Sequence, residues 1–345
     1  MKVKAFAVML FAMLMGVISF SAVAAQEVDR TGWPETFIIG VYPGDNVEEA
    51  LAAVEPLRAY FEETLGVRTV LITGTSYGTV IEAVRAGRAD ALEVGPRAYV
   101  LASDVAEALA VANYEVQVDK DEIPGYFSLM FTQKGTGITS IADLQGSTFA
   151  FTDPASTSGY LVPAADVMIA KEFTEASELD TYFGELVFSG NHPAAVLAVA
   201  NGSVQAAATF DANMPIQADQ GAIEAGTLCG YNDMSIEGPA TEEEWPYLAP
   251  MTTEEIMAIY DACPEGSLVV FHQSPLIPET PFAVRKDLPE SFKVAVKDAL
   301  LAIADNQELV DALERYYVDP SEAAGVESID ALYDSLRKLG ELLGE

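Results

Sequence analysis

Short apolar runs alternate with segments of helical spacing along the chain. Phe37 to Val41 (FIIGV) reads as a buried strand, and Tyr42-Pro43-Gly44-Asp45-Asn46 as the turn after it. From Val47 to Thr64 the apolar positions Leu51, Val54, Leu57, Tyr60 and Phe61 recur on one helical face, and Gly66 closes the helix. Thr69 to Thr73 predicts a second strand, Tyr77 to Ala86 a helix, and Ala89 to Val94 a third strand. Strand–helix–strand–helix–strand implies a parallel sheet with right-handed crossovers, whose ligands bind beyond the carboxyl ends of the strands. Tyr42, Tyr77 and the turn Gly95-Pro96-Arg97-Ala98-Tyr99 fall at such ends.

A second set of elements follows. Tyr126 to Thr132 predicts a strand at a crossing into a second lobe, and Ser147 to Thr152 another strand. Ala164 to Ala170 is helical in pattern, Leu186 to Ser189 a strand and Pro193 to Asn201 a helix. Gln205 to Phe210 is a strand ending at Asp211. Residues 221–266 are acidic and irregular, with Thr253 to Cys263 helical, and read as an insertion. Ser274-Pro275-Leu276-Ile277-Pro278 is a second crossing and Phe282 to Arg285 a returning strand. Ser291 to Asp305 and Ile329 to Leu343 are helices expected to wrap the first lobe.

Length and charge narrow the picture. The 345 residues suffice for two lobes of ordinary domain size. A net charge of −35 argues against a nucleic-acid partner and favours a soluble monomer. The start, Met1-Lys2-Val3-Lys4, an apolar run from Ala5 to Phe20, then Ser21-Ala22-Val23-Ala24-Ala25, has the form of a secretory signal over residues 1–25, so the mature protein is expected in the periplasm. In that oxidising compartment Cys229 and Cys263 are expected to bridge and staple the insertion.

The chemistry concentrates in Asp153-Pro154-Ala155-Ser156-Thr157-Ser158-Gly159-Tyr160-Leu161-Val162-Pro163. Three hydroxyl residues sit where a strand hands over to a helix. The first N–H groups of a helix lack intrahelical acceptors and carry partial positive charge, so hydroxyls there can cradle a tetrahedral oxyanion. A single cap would need only one of them. Gly74-Thr75-Ser76-Tyr77-Gly78 also satisfies G-x-S-x-G, which leaves an exported serine hydrolase using Ser76 as an alternative, with His192 or His272 as its base. No metal or nucleotide fingerprint is present, so no cofactor and no metal site are expected.

The run DPASTSGYLVP closely resembles the phosphate-binding loop of the phosphonate and phosphite periplasmic binding proteins of ABC transporters. Tyr77 to Asp90 (YGTVIEAVRAGRAD), Gly190 to Val199 (GNHPAAVLAV) and Ser274 to Arg285 (SPLIPETPFAVR) match in the same order. The resemblance implies an α/β, two-lobed, type II-like binding-protein fold with two strand crossings and a ligand cleft. The lobes would be 26–128 with 275–345, and 129–274. It implies a non-enzymatic role: capture of a phosphorus oxyanion (phosphonate, phosphite or phosphate) and delivery to an ABC permease, or presentation to a membrane kinase as a sensor. Ser156, Thr157, Ser158 and Gly159 would grip the oxyanion from one lobe and the Tyr77 hydroxyl from the other, with His192 facing the ligand. Arg97 and Tyr99 follow the third strand as further candidates, and Tyr160 is a candidate for the wall. Family carboxylates that hold a substrate amine align with Ala212, one position from Asp211, a departure that speaks against an aminoalkyl ligand.

Overall fold

The computed structural model describes residues 29–42, 44, 47–114, 123–224, 227–229 and 253–345. The expected signal segment 1–25 and most of the acidic insertion lie outside them. The first half runs β1 (Thr36–Val41), α1 (Val47–Leu65), β2 (Arg68–Ile72), α2 (Tyr77–Arg85), β3 (Ala91–Glu93), α3 (Pro96–Ala102) and β4 (Ala106–Asn113). Then come β5 (Gly125–Tyr126), β6 (Ser128–Gln133), β7 (Thr148–Phe151), α4 (Val162–Lys171), α5 (Ser177–Tyr182), β8 (Glu185–Phe188), α6 (His192–Ala200), β9 (Ala206–Phe210) and α7 (Asn213–Asp219). The chain closes with β10 (Leu228–Cys229), α8 (Thr253–Ala262), β11 (Leu268–Gln273), β12 (Ile277–Pro278), β13 (Pro281–Arg285), α9 (Glu290–Ala302), α10 (Gln307–Leu313), β14 (Tyr316–Val318) and α11 (Asp334–Leu342).

Two six-stranded mixed sheets form, β14-β4-β13-β3-β1-β2 and β10-β11-β6-β9-β7-β8, joined by the two-stranded ribbon β12-β5. In the first, β1, β2 and β3 are parallel, and β13 runs antiparallel between β3 and β4. In the second, β7, β8 and β9 are parallel and β6 is antiparallel to β9. Each sheet has an apolar core of its own: Phe37, Phe61, Phe282 and Phe292 under the first, and Phe131, Val196, Val199 and Met214 under the second. A third cluster includes Tyr77, Val94 and Ala98 beside the first sheet and Phe149, Phe151 and Leu161 beside the second. Burial of such side chains at about 25 cal/mol per Å² is the main force holding these layers.

The ribbon carries both crossings. Ile277 pairs with Tyr126, Pro278 with Gly125, and the Glu279 N–H donates to the Pro124 carbonyl at 3.0 Å. The expected single strand 126–132 is thus split at Phe127, whose N–H turns to the Asp211 carboxylate at 3.2 Å. Ala106–Asn113, an alanine-rich stretch whose composition carries no strand preference, is strand β4. The expected helix 329–343 begins as a 3₁₀ turn, Ile329–Tyr333, and continues as α11. Helix α11 touches α3 on one side and α4 with the hydroxyl loop on the other. Cys229 and Cys263 form a disulfide beside β11. Among the described residues no helix is long and apolar enough to cross a membrane.

Candidate oxyanion site

The parallel strands β1, β3, β7 and β9 end at one region, and the candidate residues follow those ends. After β7, Ser156 caps a π-helical turn, Thr157–Leu161, that runs on into α4. The Leu161 N–H donates to the Ser156 carbonyl at 3.1 Å, and the Gly159 N–H to Ser156 Oγ at 3.1 Å. Such turns recur at functional sites. The loop is tied to the sheet at both edges: the Thr152 N–H donates to the Gly159 carbonyl at 2.9 Å and Ser128 Oγ to the Ser158 carbonyl at 2.7 Å. Gly159 is sterically required. A Cβ there would stand 1.8 Å from Thr152 Oγ1.

Hydroxyls converge on this turn from the other sheet. The Arg97 backbone N–H, at the start of α3, donates to Thr157 Oγ1 at 2.9 Å. Gly95 before it adopts φ +147°, and a Cβ there would meet the Tyr77 ring at 3.7 Å and Thr157 Oγ1 at 4.0 Å. Tyr77 lies near Ser156, and the Tyr42 and Tyr77 rings are 4.9 Å apart. Burial, and then the neighbouring Tyr42 hydroxyl, hold the Tyr77 phenol well above its ordinary pKa, so it is a neutral donor. Tyr126 on β5, not singled out from sequence, lies near Thr157 and Ser158. Its pKa too is raised, by burial first and then by Glu279.

His192 stands behind the turn. Its Nε2 is 3.2 Å from Ser156 Oγ and its Nδ1 3.0 Å from Thr209 Oγ1, which accepts from Asn213 Nδ2 at 2.8 Å. Burial lowers its pKa to about 3, so the ring is neutral at physiological pH. The Asn213 amide donates to Thr209 Oγ1, and the His192 ring bridges Thr209 Oγ1 and Ser156 Oγ. Ser156 Oγ thus meets both the Gly159 N–H and His192 Nε2. His192, expected to face the ligand, is held through both ring nitrogens, by Ser156 Oγ and Thr209 Oγ1.

Two further expectations change. Tyr99 does not join the cluster: its hydroxyl donates to Asp330 and its ring packs edge-on to Tyr333 at 5.2 Å. It lines a different surface pocket with Ser103, Lys286 and Arg337. Arg97 offers its backbone, whereas its buried guanidinium pairs with Glu345 and lies 4.9 Å over the Tyr160 ring. Burial lowers the Arg97 pKa, and Glu345 opposes that effect.

Carboxyls complete the surroundings. Asp211 accepts from the Phe127 and Ala212 N–H groups, yet burial raises its pKa to about 6. Glu279 accepts from the Thr280 N–H at 2.8 Å and Thr280 Oγ1 at 3.0 Å; burial, with Asp211 and Glu93 nearby, raises it to about 7. Glu279, Tyr126 and Tyr42 are partly buried. Glu93 is engaged by Arg315 at 3.2 Å and by the Tyr317 hydroxyl at 2.7 Å. Ser76 caps α2, 3.1 Å from Thr79 Oγ1, while His192 is held at Ser156 and His272 pairs with Asp166 at 2.8 Å. A Ser76–His pair, which the hydrolase alternative requires, is not formed. Among the described residues no acid, His or Cys cluster suited to a metal occurs.

The arrangement has known relatives. The chain is 31% identical over 206 residues to the phosphate-import protein PhnD of Mycolicibacterium smegmatis, covering 59% of this chain and 64% of that one. It is 27% identical over 273 residues to the phosphonates-binding periplasmic protein of Escherichia coli, covering 78% and 66%. The matches thus span slightly less than two thirds of each relative. The structure of PhnD1 from Prochlorococcus marinus, solved with methylphosphonate, superposes with a TM-score of 0.61 at 16% identity, covering 90% of this chain and 99% of that one. A phosphonate-transporter binding protein from Pseudomonas aeruginosa gives 0.59 at 20% identity, covering 90% and 96%. At these identities the likeness shows the fold, a two-lobed type II-like binding protein. The profile of one family matches residues 39–328, most of the chain, and this protein belongs to that family, the phosphonate periplasmic substrate-binding proteins of ABC transporters.

Proposed function

We propose that this chain captures a phosphorus oxyanion between its two lobes and presents the closed form to an ABC permease. The observation that carries the reading is the convergence of Ser156, Thr157 and Ser158 with Tyr77, Tyr126 and the Arg97 N–H across the two sheets. A ligand gripped from both sides favours closure, because the closed state gains contacts that the open one lacks. Hydroxyls and helix-start N–H groups suit a tetrahedral oxyanion whose charge is spread over several oxygens. The relatives bracket the ligand: one is named for phosphate import, one for phosphonates, and one structure holds methylphosphonate. We assign the lobes to 26–128 with 275–345 and to 129–274, the ribbon β12-β5 lying at both change-overs. Residues 1–25 serve as the export signal, and the mature chain works as a periplasmic monomer without enzymatic activity.

A thermal-shift screen against phosphate, phosphite, methylphosphonate, 2-aminoethylphosphonate and sulfate tests this. Ligand at about 100 times its Kd stabilises by about 2.7 kcal/mol. A shift with at least one phosphorus oxyanion is expected. Stabilisation by none of the four, at millimolar concentration, would overturn the assignment.

A further inference from the structure

One arginine touches the hydroxyl turn at both of its ends. Arg97 sits in the first turn of α3, and its backbone N–H donates to Thr157 Oγ1 at 2.9 Å. Its guanidinium lies 4.9 Å over the ring of Tyr160, further along the same turn. That ring is rooted in the second sheet, edge-on to Phe151 at 5.1 Å and 5.3 Å from Phe188. Helix α11 touches both α3 and the turn, and beyond its end Glu345 pairs with Arg97 Nη2. The Glu345 N–H returns to the Gly340 carbonyl at 3.0 Å, which fixes that partner. The Arg97 side chain is only 3% exposed, yet its Nε and Nη1 have no hydrogen-bond acceptor among the described residues.

A buried, half-paired cation is costly unless negative charge stands nearby, and shielding from solvent lets its field reach further. Its partner Glu345 is 38% exposed, so water screens part of the compensation that this carboxylate gives. The turn itself needs positive charge. Its loop begins with a buried carboxyl, Asp153, which accepts from the Ala155 N–H at 2.8 Å, and an oxyanion bound a few residues on adds a like charge. We propose that the Arg97 side chain balances the charge of the bound oxyanion and holds the hydroxyl turn against α3 in the closed form. This inference rests on the reading of the turn as a phosphorus-oxyanion receptor, with α3 and Tyr160 on different lobes. Separation of the lobes takes the guanidinium off Tyr160 and returns its free donors to water, so the ligand meets this charge at close range on closure. Arg97 is thus a positioning residue, acting through Thr157 and Tyr160. It favours occupants that carry full negative charge over neutral isosteres of the same shape.

Calorimetric titration of the mature protein with phosphate, phosphite and methylphosphonate, at one pH and ionic strength, reads the effect. Arg97→Met keeps the length of the side chain and the backbone donor but removes the charge, and the Kd of the oxyanion that binds should rise about tenfold. Arg97→Lys restores the charge and should stay within about threefold of the parent. Glu345→Gln frees the guanidinium from its partner, so the oxyanion should bind about threefold more tightly. In the double variant Arg97→Met/Glu345→Gln that gain should vanish. A clasp without a charge role gives the opposite sign at Glu345, because losing either partner would then weaken closure. Circular dichroism checks the fold of each variant. Should Arg97→Met not fold, Glu345→Gln, at a half-exposed position, still decides the sign. An Arg97→Met Kd within about twofold of the parent, or weaker binding by Glu345→Gln, would overturn the proposal. No binding of any of the three oxyanions by the parent would sink the underlying reading and this inference with it. Binding by the parent with unaltered variants would sink the inference alone.

Discussion

Replacing Thr157 by Val removes one hydroxyl and almost no volume. In the closed arrangement that hydroxyl accepts from the Arg97 N–H across the lobes at 2.9 Å and adjoins Tyr126. Loss of a hydrogen bond to a charged acceptor costs about 1.5–3 kcal/mol. That is roughly a 10- to 150-fold rise in Kd. A second term acts in the same direction. The Arg97 N–H is left without its acceptor only when the lobes are closed, because opening returns it to water, so its penalty falls on ligand-induced closure as well. Thr157→Ser keeps the hydroxyl and loses a methyl group, and is expected to stay within about threefold of the parent, well under one tenfold step of 1.4 kcal/mol. Calorimetric titration of the three proteins with the best phosphorus oxyanion measures this, with circular dichroism confirming that each is folded. A Thr157→Val Kd within twofold of the parent would refute the reasoning.

Other outcomes follow from the same geometry. Gly159→Ala drives a methyl into Thr152 and is expected to cost about 1–3 kcal/mol of stability; an unchanged melting temperature would contradict the tight approach. Thr209→Val removes the hydroxyl that holds His192 Nδ1, so the ring that meets Ser156 is no longer fixed, and affinity should fall about tenfold, one step of 1.4 kcal/mol; lost stability with unchanged affinity would make Thr209 merely structural. Changing Cys229 and Cys263 together to Ser opens a ring of sequence separation 34 and should lower stability by about 4 kcal/mol while sparing affinity; a large loss of affinity would bring the insertion into the cleft. Glu279 has a folded pKa above its unfolded one, so its burial penalty is absent below about pH 4, grows as pH rises and is complete above about pH 8. Lowering the pH from 8 to 6.5 should therefore stabilise the parent by about 0.8 kcal/mol more than Glu279→Gln, and equal gains in denaturant titrations would count against the buried carboxyl.

The hydroxyl loop was legible because its donors are contiguous: Ser156, Thr157 and Ser158 need only a strand before them and a helix after. Tyr77 was legible because it opens a helix at a strand end. Tyr99 misled because proximity in sequence to the third strand does not fix direction. Three residues into α3 its ring has turned away from the cleft and toward Tyr333. Tyr126 was not recognised because its place is set by the pairing of β5 with β12, in which Ile277 faces Tyr126 and Pro278 faces Gly125, far apart in sequence. The strand Ala106–Asn113 escaped because its alanines carry no strand preference. They fit because tertiary packing covers Ala110, Val111 and Ala112 completely. The role of His192 could be placed at the site from sequence, but its direction depended on Thr209 and Asn213, which reach it from a neighbouring strand and helix.

A crystal structure of the mature protein with the phosphorus oxyanion that stabilises it most tests the central claim most directly. The account predicts the oxyanion at the start of the π-helical turn, its oxygens within hydrogen-bonding distance of the Ser156, Thr157 and Ser158 hydroxyls on one lobe and Tyr77 on the other. An oxyanion seated elsewhere, for instance in the pocket beside Tyr99, with the three hydroxyls still bonded only to protein, would contradict it.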